Sequence, residues 1–138
     1  MKDMSKLRSF IITFFQDGIT DTGIYDIYRR LSACRYLENL SLGFGRGLIT
    51  KDQMHALAQL LQKLKTLKSF FIYLSELDVE FESMSSLDFS ELEGLKTLWV
   101  RVQNTTISEM DLSRFFWLWT QAKHLTDINL ELSNVVIT

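Results

Sequence analysis

Apolar and polar residues along this chain follow a long period laid over a short one. Four apolar positions recur as a set: Leu7, Phe10, Ile12 and Phe14; Leu37, Leu40, Leu42 and Phe44; Leu67, Phe70, Ile72 and Leu74. Two further sets follow: Leu95, Leu98, Val100 and Val102, then Leu125, Ile128, Leu130 and Leu132. The first leucines stand at 7, 37, 67, 95 and 125, which are spacings of 30, 30, 28 and 30. Twelve residues after each comes a further β-branched apolar residue: Ile19, Ile49, Val79, Ile107 and Ile137. Self-similarity at a fixed period of this size is the mark of a repeat architecture.

Within each unit, positions 4, 6 and 8 are apolar and alternate with polar or variable residues, the period of a half-buried strand. Helix starts follow the β-branched residue, with Thr20, Thr50 and Ser108 at the N-cap position and Gln53 completing a capping box with Thr50. The predicted helices carry apolar residues at helical spacing: Ile24, Ile27, Tyr28, Leu31 and Cys34 in the first, and Met54, Leu57, Ala58, Leu61 and Leu64 in the second. The fourth has Leu112, Phe115, Phe116, Trp119 and Ala122. The third unit is two residues shorter and keeps Met84, Leu87, Phe89 and Leu92, so a shorter or distorted helix is expected there. The units run 7–36, 37–66, 67–94 and 95–124, with a terminal strand in 125–138, in a single domain over 1–138.

A strand–helix unit of this size cannot bury its own apolar face, whereas stacked units form one continuous core. The pattern resembles the leucine-rich repeat of the ribonuclease-inhibitor-like subclass, and is similar to arrays in intracellular immune receptors and in ciliate repeat proteins. The resemblance runs from about Leu7 to Thr138 and implies an α/β solenoid, a short horseshoe arc with parallel strands on the concave side and helices on the convex side. One departure stands out. The family's asparagine ladder should fall near Asp17, Gly47, Leu77, Thr105 and Val135, none of which is asparagine, while Asn104 and Asn134 stand one residue earlier. Both ends of the sequence fall inside a unit, with Met4 at the position of Cys34 and Thr138 at that of Thr50. Two expectations follow: a longer array, or open ends covered by a partner or a second copy.

Composition narrows the function. With 138 residues, 46 % hydrophobic and 23 % charged, the chain has an ordinary globular make-up, but it contains no proline, where about 7 would be average. Lys and Arg number 15 against 17 Asp and Glu, a net charge of −2, which argues against bulk electrostatic binding of nucleic acid. No apolar run is long enough for a membrane span and no signal-peptide pattern is present. The single cysteine, Cys34, excludes an internal disulfide and a cysteine-based zinc site, and points to a reducing, cytoplasmic compartment.

No catalytic or cofactor constellation is legible, and no metal site is expected. His55 and His124 lie on different units, one on the solvent side of its helix and one in a turn. The stretch Gly43–Gly47, with Arg46, is glycine-rich but has neither phosphate-loop pattern. The acidic run holding Glu76, Asp78, Glu80 and Glu82 reads as a solvated loop and helix start. Cys34 falls at a core position.

The outward strand positions are more informative. Position 5 reads Ile11, Ser41, Phe71, Trp99 and Asn129, and position 7 reads Thr13, Gly43, Tyr73, Arg101 and Glu131. Neighbouring strands lie about 4.8 Å apart, so Phe71 would adjoin Trp99 and Tyr73 would adjoin Arg101. This composition is that of an interaction hot spot, the alternative being aromatics that only stack on one another across strands. A second candidate interface is the outer helix face at Leu60, Trp117 and Leu118. The expected role is a non-catalytic protein-interaction module, a scaffold or a subunit of a larger assembly. The other reading is a regulatory segment of a larger receptor or enzyme.

Overall fold

Five strands form one sheet in the order β1-β2-β3-β4-β5, every neighbouring pair parallel. The structure is a computed structural model that describes residues 5–14, 21–45, 50–76 and 87–138. The elements are β1 (Ser9–Phe14), α1 (Asp21–Leu31), β2 (Asn39–Phe44), α2 (Lys51–Lys63), β3 (Ser69–Ser75), β4 (Thr97–Ile107), α3 (Glu109–Gln121) and β5 (Asp127–Ile137). Chain order equals sheet order, and the register follows the sequence period residue for residue. Leu40 pairs with Phe10 and Phe70, and Leu98 with Phe70 and Ile128.

The inward positions of the three middle strands make the floor of the core. Leu40, Leu42, Phe44, Phe70, Ile72, Leu74, Leu98, Val100 and Val102 are all buried. Over them lie Leu37, Leu67 and Leu95 and the apolar stripes of the helices, including Ile24, Leu31, Met54, Leu57, Leu61, Phe115 and Trp119. Cys34 is buried among them and donates its thiol to the Arg30 carbonyl at 3.6 Å, as a small apolar residue with a weak donor would. Among the described residues no helix is long and apolar enough to cross a membrane.

Helix α2 starts as its sequence dictates. The Gln53 amide donates to Thr50 Oγ1 at 3.2 Å, and the Thr50 amide donates to Gln53 Oε1 at 2.9 Å, a reciprocal capping box. Ser108 caps α3 by accepting from the Asp111 amide at 3.1 Å. Thr20 lies outside the described residues, as do Met4, Asp17, Ile19, Arg46, Gly47, Ile49, Leu77 and Met84.

Strands β4 and β5 run eleven residues each, past the alternating segment, and the asparagines explain how. Positions 4, 6 and 8 of a unit face inward, yet the β-branched residue at position 13 must also face inward, which is the wrong parity for an unbroken pleat. One residue has to be taken out of the alternation. Asn104 and Asn134 do this, with φ of 54° and 51°, the left-handed region that asparagine tolerates better than most residues. Pairing runs from Gln103 with Ser133 to Thr105 with Val135, and leaves the two asparagines out of the ladder. Beyond the switch Ile107 returns to the core, fully buried. The asparagine side chains stack in register, Asn134 Nδ2 donating to Asn104 Oδ1 at 2.7 Å, and Glu76, at the matching place just past β3, has φ of 51°.

Three expectations are corrected. The third unit shows no helix over its described part: residues 87–96 form turns, held by the Ser90 amide on Asp88 Oδ1 at 2.9 Å and by Gln62 Nε2 on the Asp88 carbonyl at 3.3 Å. Leu87, Phe89 and Leu92 are nevertheless buried, with Phe89 against Phe70 at a ring distance of 5.9 Å. Phe116, expected in the core, is 48 % exposed, its ring meeting Trp119 of the same helix edge to face at 5.9 Å. Leu60, expected at an outer interface, is buried in the core, so α2 is apolar over a wider arc than the repeat pattern alone suggests.

Candidate functional site

The outward face of the sheet is built from the residues that the strands alternate away from the core. Ile11 on β1 is 74 % exposed, and Trp99 on β4 is 38 % exposed. The register places Phe71 directly opposite Trp99 and Tyr73 opposite Arg101, as the unit spacing requires. The Phe71 and Trp99 rings meet edge to face with centroids 5.1 Å apart, the arrangement that ring quadrupoles favour.

Below them Tyr73 and Arg101 are fixed from both sides. The Arg101 guanidinium carbon lies 5.7 Å from the Tyr73 ring centroid, and its Nε is 3.4 Å from Glu131 Oε2. The Tyr73 hydroxyl donates to Gln103 Oε1 at 2.9 Å. Side chains already held in one geometry lose less conformational entropy when a partner settles on them.

Strand β2 contributes the opposite feature. Its outward residues Ser41 and Gly43 are small, and they lie between Ile11 and Thr13 on β1 and Phe71 and Tyr73 on β3. The result is a pair of adjoining shallow hollows of about 220 and 290 Å³, which share Ser41 and Phe71. Ile11 and Trp99 border the first, Thr13 and Arg101 the second. A Cβ added at Gly43 would approach Thr13 Cγ2 to 2.7 Å, so the hollow depends on a residue without one. Sequence reasoning named Ser41 and Gly43 in their rows without drawing the hollow. The signal was there, two small residues flanked by large ones in adjacent units.

The face is almost uncharged. Positions 3, 5 and 7 of β1, β2 and β3 hold Ser9, Ile11, Thr13, Asn39, Ser41, Gly43, Ser69, Phe71 and Tyr73. At these three positions charge enters on β4 and β5, through Arg101, Glu131 and Asp127, of which the first two pair with each other, while Arg8, Glu38 and Lys68 form a paired row at the strand starts. Asn129 and Glu131 occupy the predicted β5 positions, opposite Trp99 and Arg101.

The other candidates separate from this face. Trp117 is 63 % exposed on the outer side of α3, Leu118 is half-buried and packs on the core, and Leu60 is in the core, so the three do not make one surface. His55 lies exposed on α2 and His124 exposed in the turn before β5. Among the described residues no three of His, Cys, Asp and Glu come together as metal ligands. Of the glycine-rich stretch, Gly43 to Gly45 are described; of the acidic run, only Glu76 is, in its left-handed conformation. Asp26 is held below the usual carboxylate range by hydrogen bonds from Arg30 and Arg29, an exposed cluster on α1. No family model matches this chain, and no curated protein matches it.

Proposed function

We propose that this chain is a short leucine-rich-repeat solenoid of the ribonuclease-inhibitor-like type, acting as a non-catalytic protein-interaction module, and that its concave sheet face is the binding surface. The observation that carries this reading is the adjacency of a half-exposed Phe71–Trp99 pair to an empty hollow over Ser41 and Gly43. Here one wall of the hollow is the aromatic pair and the other is the exposed Ile11. An anchor beside a pocket, with tyrosine and arginine at its margin, is the composition of a binding hot spot. The missing charge over β1 to β3 favours an uncharged partner segment that offers an apolar side chain and neutral hydrogen-bonding groups.

The test is affinity capture from native extract with three baits: the wild type, the Phe71→Ser/Trp99→Ala double variant, and Trp117→Ala. A specific partner should be captured by the first and third and lost from the second, with affinity weakened roughly thirtyfold, as removal of a hot spot of about 2 kcal/mol gives. A partner retained by the folded double variant would overturn the assignment.

A further inference from the structure

The two hollows on the outward sheet face stand in line along β2. Ser41 floors the first, between Ile11 on β1 and Phe71 on β3, and Gly43 floors the second, between Thr13 and Tyr73. These floors are two residues apart on one strand, a separation of about 7 Å. Across the strands the trough is narrow. Its walls rise from β1 and β3, about 10 Å apart backbone to backbone, and the side chains of Ile11, Phe71 and Tyr73 project into that width. An α-helix with its side chains is about 10–12 Å across and cannot lie in it, whereas an extended chain can. An extended chain also turns every second side chain to the same side, at about the 7 Å that separates the floors.

The hollows differ in chemistry. The first is walled by Ile11, Phe71 and Trp99, which suit a bulky apolar side chain. The second is rimmed by hydrogen-bond donors. Arg101 engages Glu131 through Nε at 3.4 Å, and its two terminal nitrogens make no hydrogen bond among the described residues. Gln103 accepts the Tyr73 hydroxyl on Oε1 at 2.9 Å, which leaves its amide hydrogens for a partner. The Thr13 and Ser41 hydroxyls lie on the same rim, and no residue lining this hollow carries a negative charge. Glu131 offsets the Arg101 charge and opposes the approach of a second carboxylate. What fits is an uncharged group with an oxygen acceptor and N–H donors of its own, and a carboxamide has both.

We propose that the occupant of this face is an extended peptide segment lying along β2, with a bulky apolar residue in the first hollow and an asparagine or glutamine two residues away in the second. Resting on the reading of the face as the binding surface, it adds the partner's conformation, its spacing and its two anchoring side chains. The Arg101 and Gln103 donors hold the carboxamide oxygen, and the carboxamide N–H groups donate to the Thr13 or Ser41 hydroxyl.

Panning a phage-displayed library of random linear peptides against the full chain tests it. The baits are the wild type, Phe71→Ser/Trp99→Ala and Arg101→Met/Gln103→Leu, each checked for fold by circular dichroism. The wild type should enrich peptides with a bulky apolar residue and an Asn or Gln at a separation of two. In fluorescence polarisation with a synthetic peptide of that kind, changing its Asn or Gln to Ala should weaken binding about tenfold, and this substitution leaves the fold of the chain untouched. The same peptide change should have no further effect on Arg101→Met/Gln103→Leu, because each removes the one interaction. Apolar enrichment with no preference two residues away, with Asp or Glu there, or with anchors three or four residues apart, would overturn the proposal while leaving the face as the binding surface. Peptides bound equally well by Phe71→Ser/Trp99→Ala would overturn both. A selection that enriches nothing would also overturn the proposal, and a wild-type dimer lost in Phe71→Ser/Trp99→Ala would then put a second copy on the face.

Discussion

Substitution at Asn104 separates the backbone role of the asparagine pair from its side-chain role. The residue holds φ at 54° and accepts one hydrogen bond, from Asn134 Nδ2 at 2.7 Å, in an exposed place. A left-handed conformation costs an ordinary L-residue about 1–2 kcal/mol, and asparagine less because its short side chain bonds locally. An exposed hydrogen bond adds about 0.5 kcal/mol. Asn104→Ala should therefore destabilise by about 1–2 kcal/mol. Asn104→Val should cost about 2–3 kcal/mol, since a β-branched residue is strained further at positive φ. Glycine loses the bond and gains unfolded-state entropy but has no strain, so Asn104→Gly should lie within about 1 kcal/mol of wild type. Urea denaturation followed by far-ultraviolet circular dichroism gives the ranking, with an unchanged slope as the check that the folded state is the same. Glycine as damaging as valine would mean that the side-chain stack, not the parity switch, holds this turn. A neutral valine would mean that the backbone is not left-handed there at all.

Other consequences follow from the same structure. The Tyr28 hydroxyl is buried with no hydrogen-bond partner among the described residues, and burial raises its pKa, so Tyr28→Phe should be neutral or stabilising by about 1 kcal/mol in thermal melts. Because the folded tyrosine holds its proton more tightly than the unfolded one, this residue's contribution to stability is complete below about pH 10 and falls as pH rises beyond it; Tyr28→Phe should flatten that alkaline decline in a melting-temperature series. Leu60→Ala should cost about 2–5 kcal/mol in denaturant unfolding as a cavity in the core, while Trp117→Ala, on an exposed surface, should stay within about 0.5 kcal/mol; equal effects would contradict the burial of Leu60. Ser41→Trp should fill the hollow beside Phe71 and abolish partner capture with little change in melting temperature, and capture that persists would remove the hollow from the binding surface.

Much of this architecture was legible in the spacing of leucines. A period of 30 residues with one 28 fixes which residues pair across strands, and pairing fixes that Phe71 meets Trp99 and Tyr73 meets Arg101. Less legible was whatever depends on a neighbour the pattern does not name. Helical spacing places Phe116 on the same stripe as Phe115, but among the described residues one flank of α3 is open and the other is packed, so the two differ in burial. Leu60 failed in the other direction, since a surface position by register turned inward on a helix whose apolar arc is broad. Asn104 and Asn134 looked like a displaced ladder. They are the residues that let an odd-numbered position rejoin an even-numbered core, a constraint contained in the spacing between Val102 and Ile107. The third unit lost its predicted helix over the described residues because apolar spacing of Leu87, Phe89 and Leu92 serves turns that bury the same side chains.

Hydroxyl-radical footprinting of the free protein, and of its complex with any partner captured as proposed above, tests the proposed recognition face most directly. In the free protein Ile11 and Trp99 should react readily while the adjacent Phe70 and Leu98 stay protected, since their side chains point to opposite sides of one sheet. In the complex Ile11, Phe71, Tyr73 and Trp99 should lose reactivity together and Trp117 should keep it. Protection at Trp117 with Trp99 unchanged would contradict the account and move recognition to the outer face of α3.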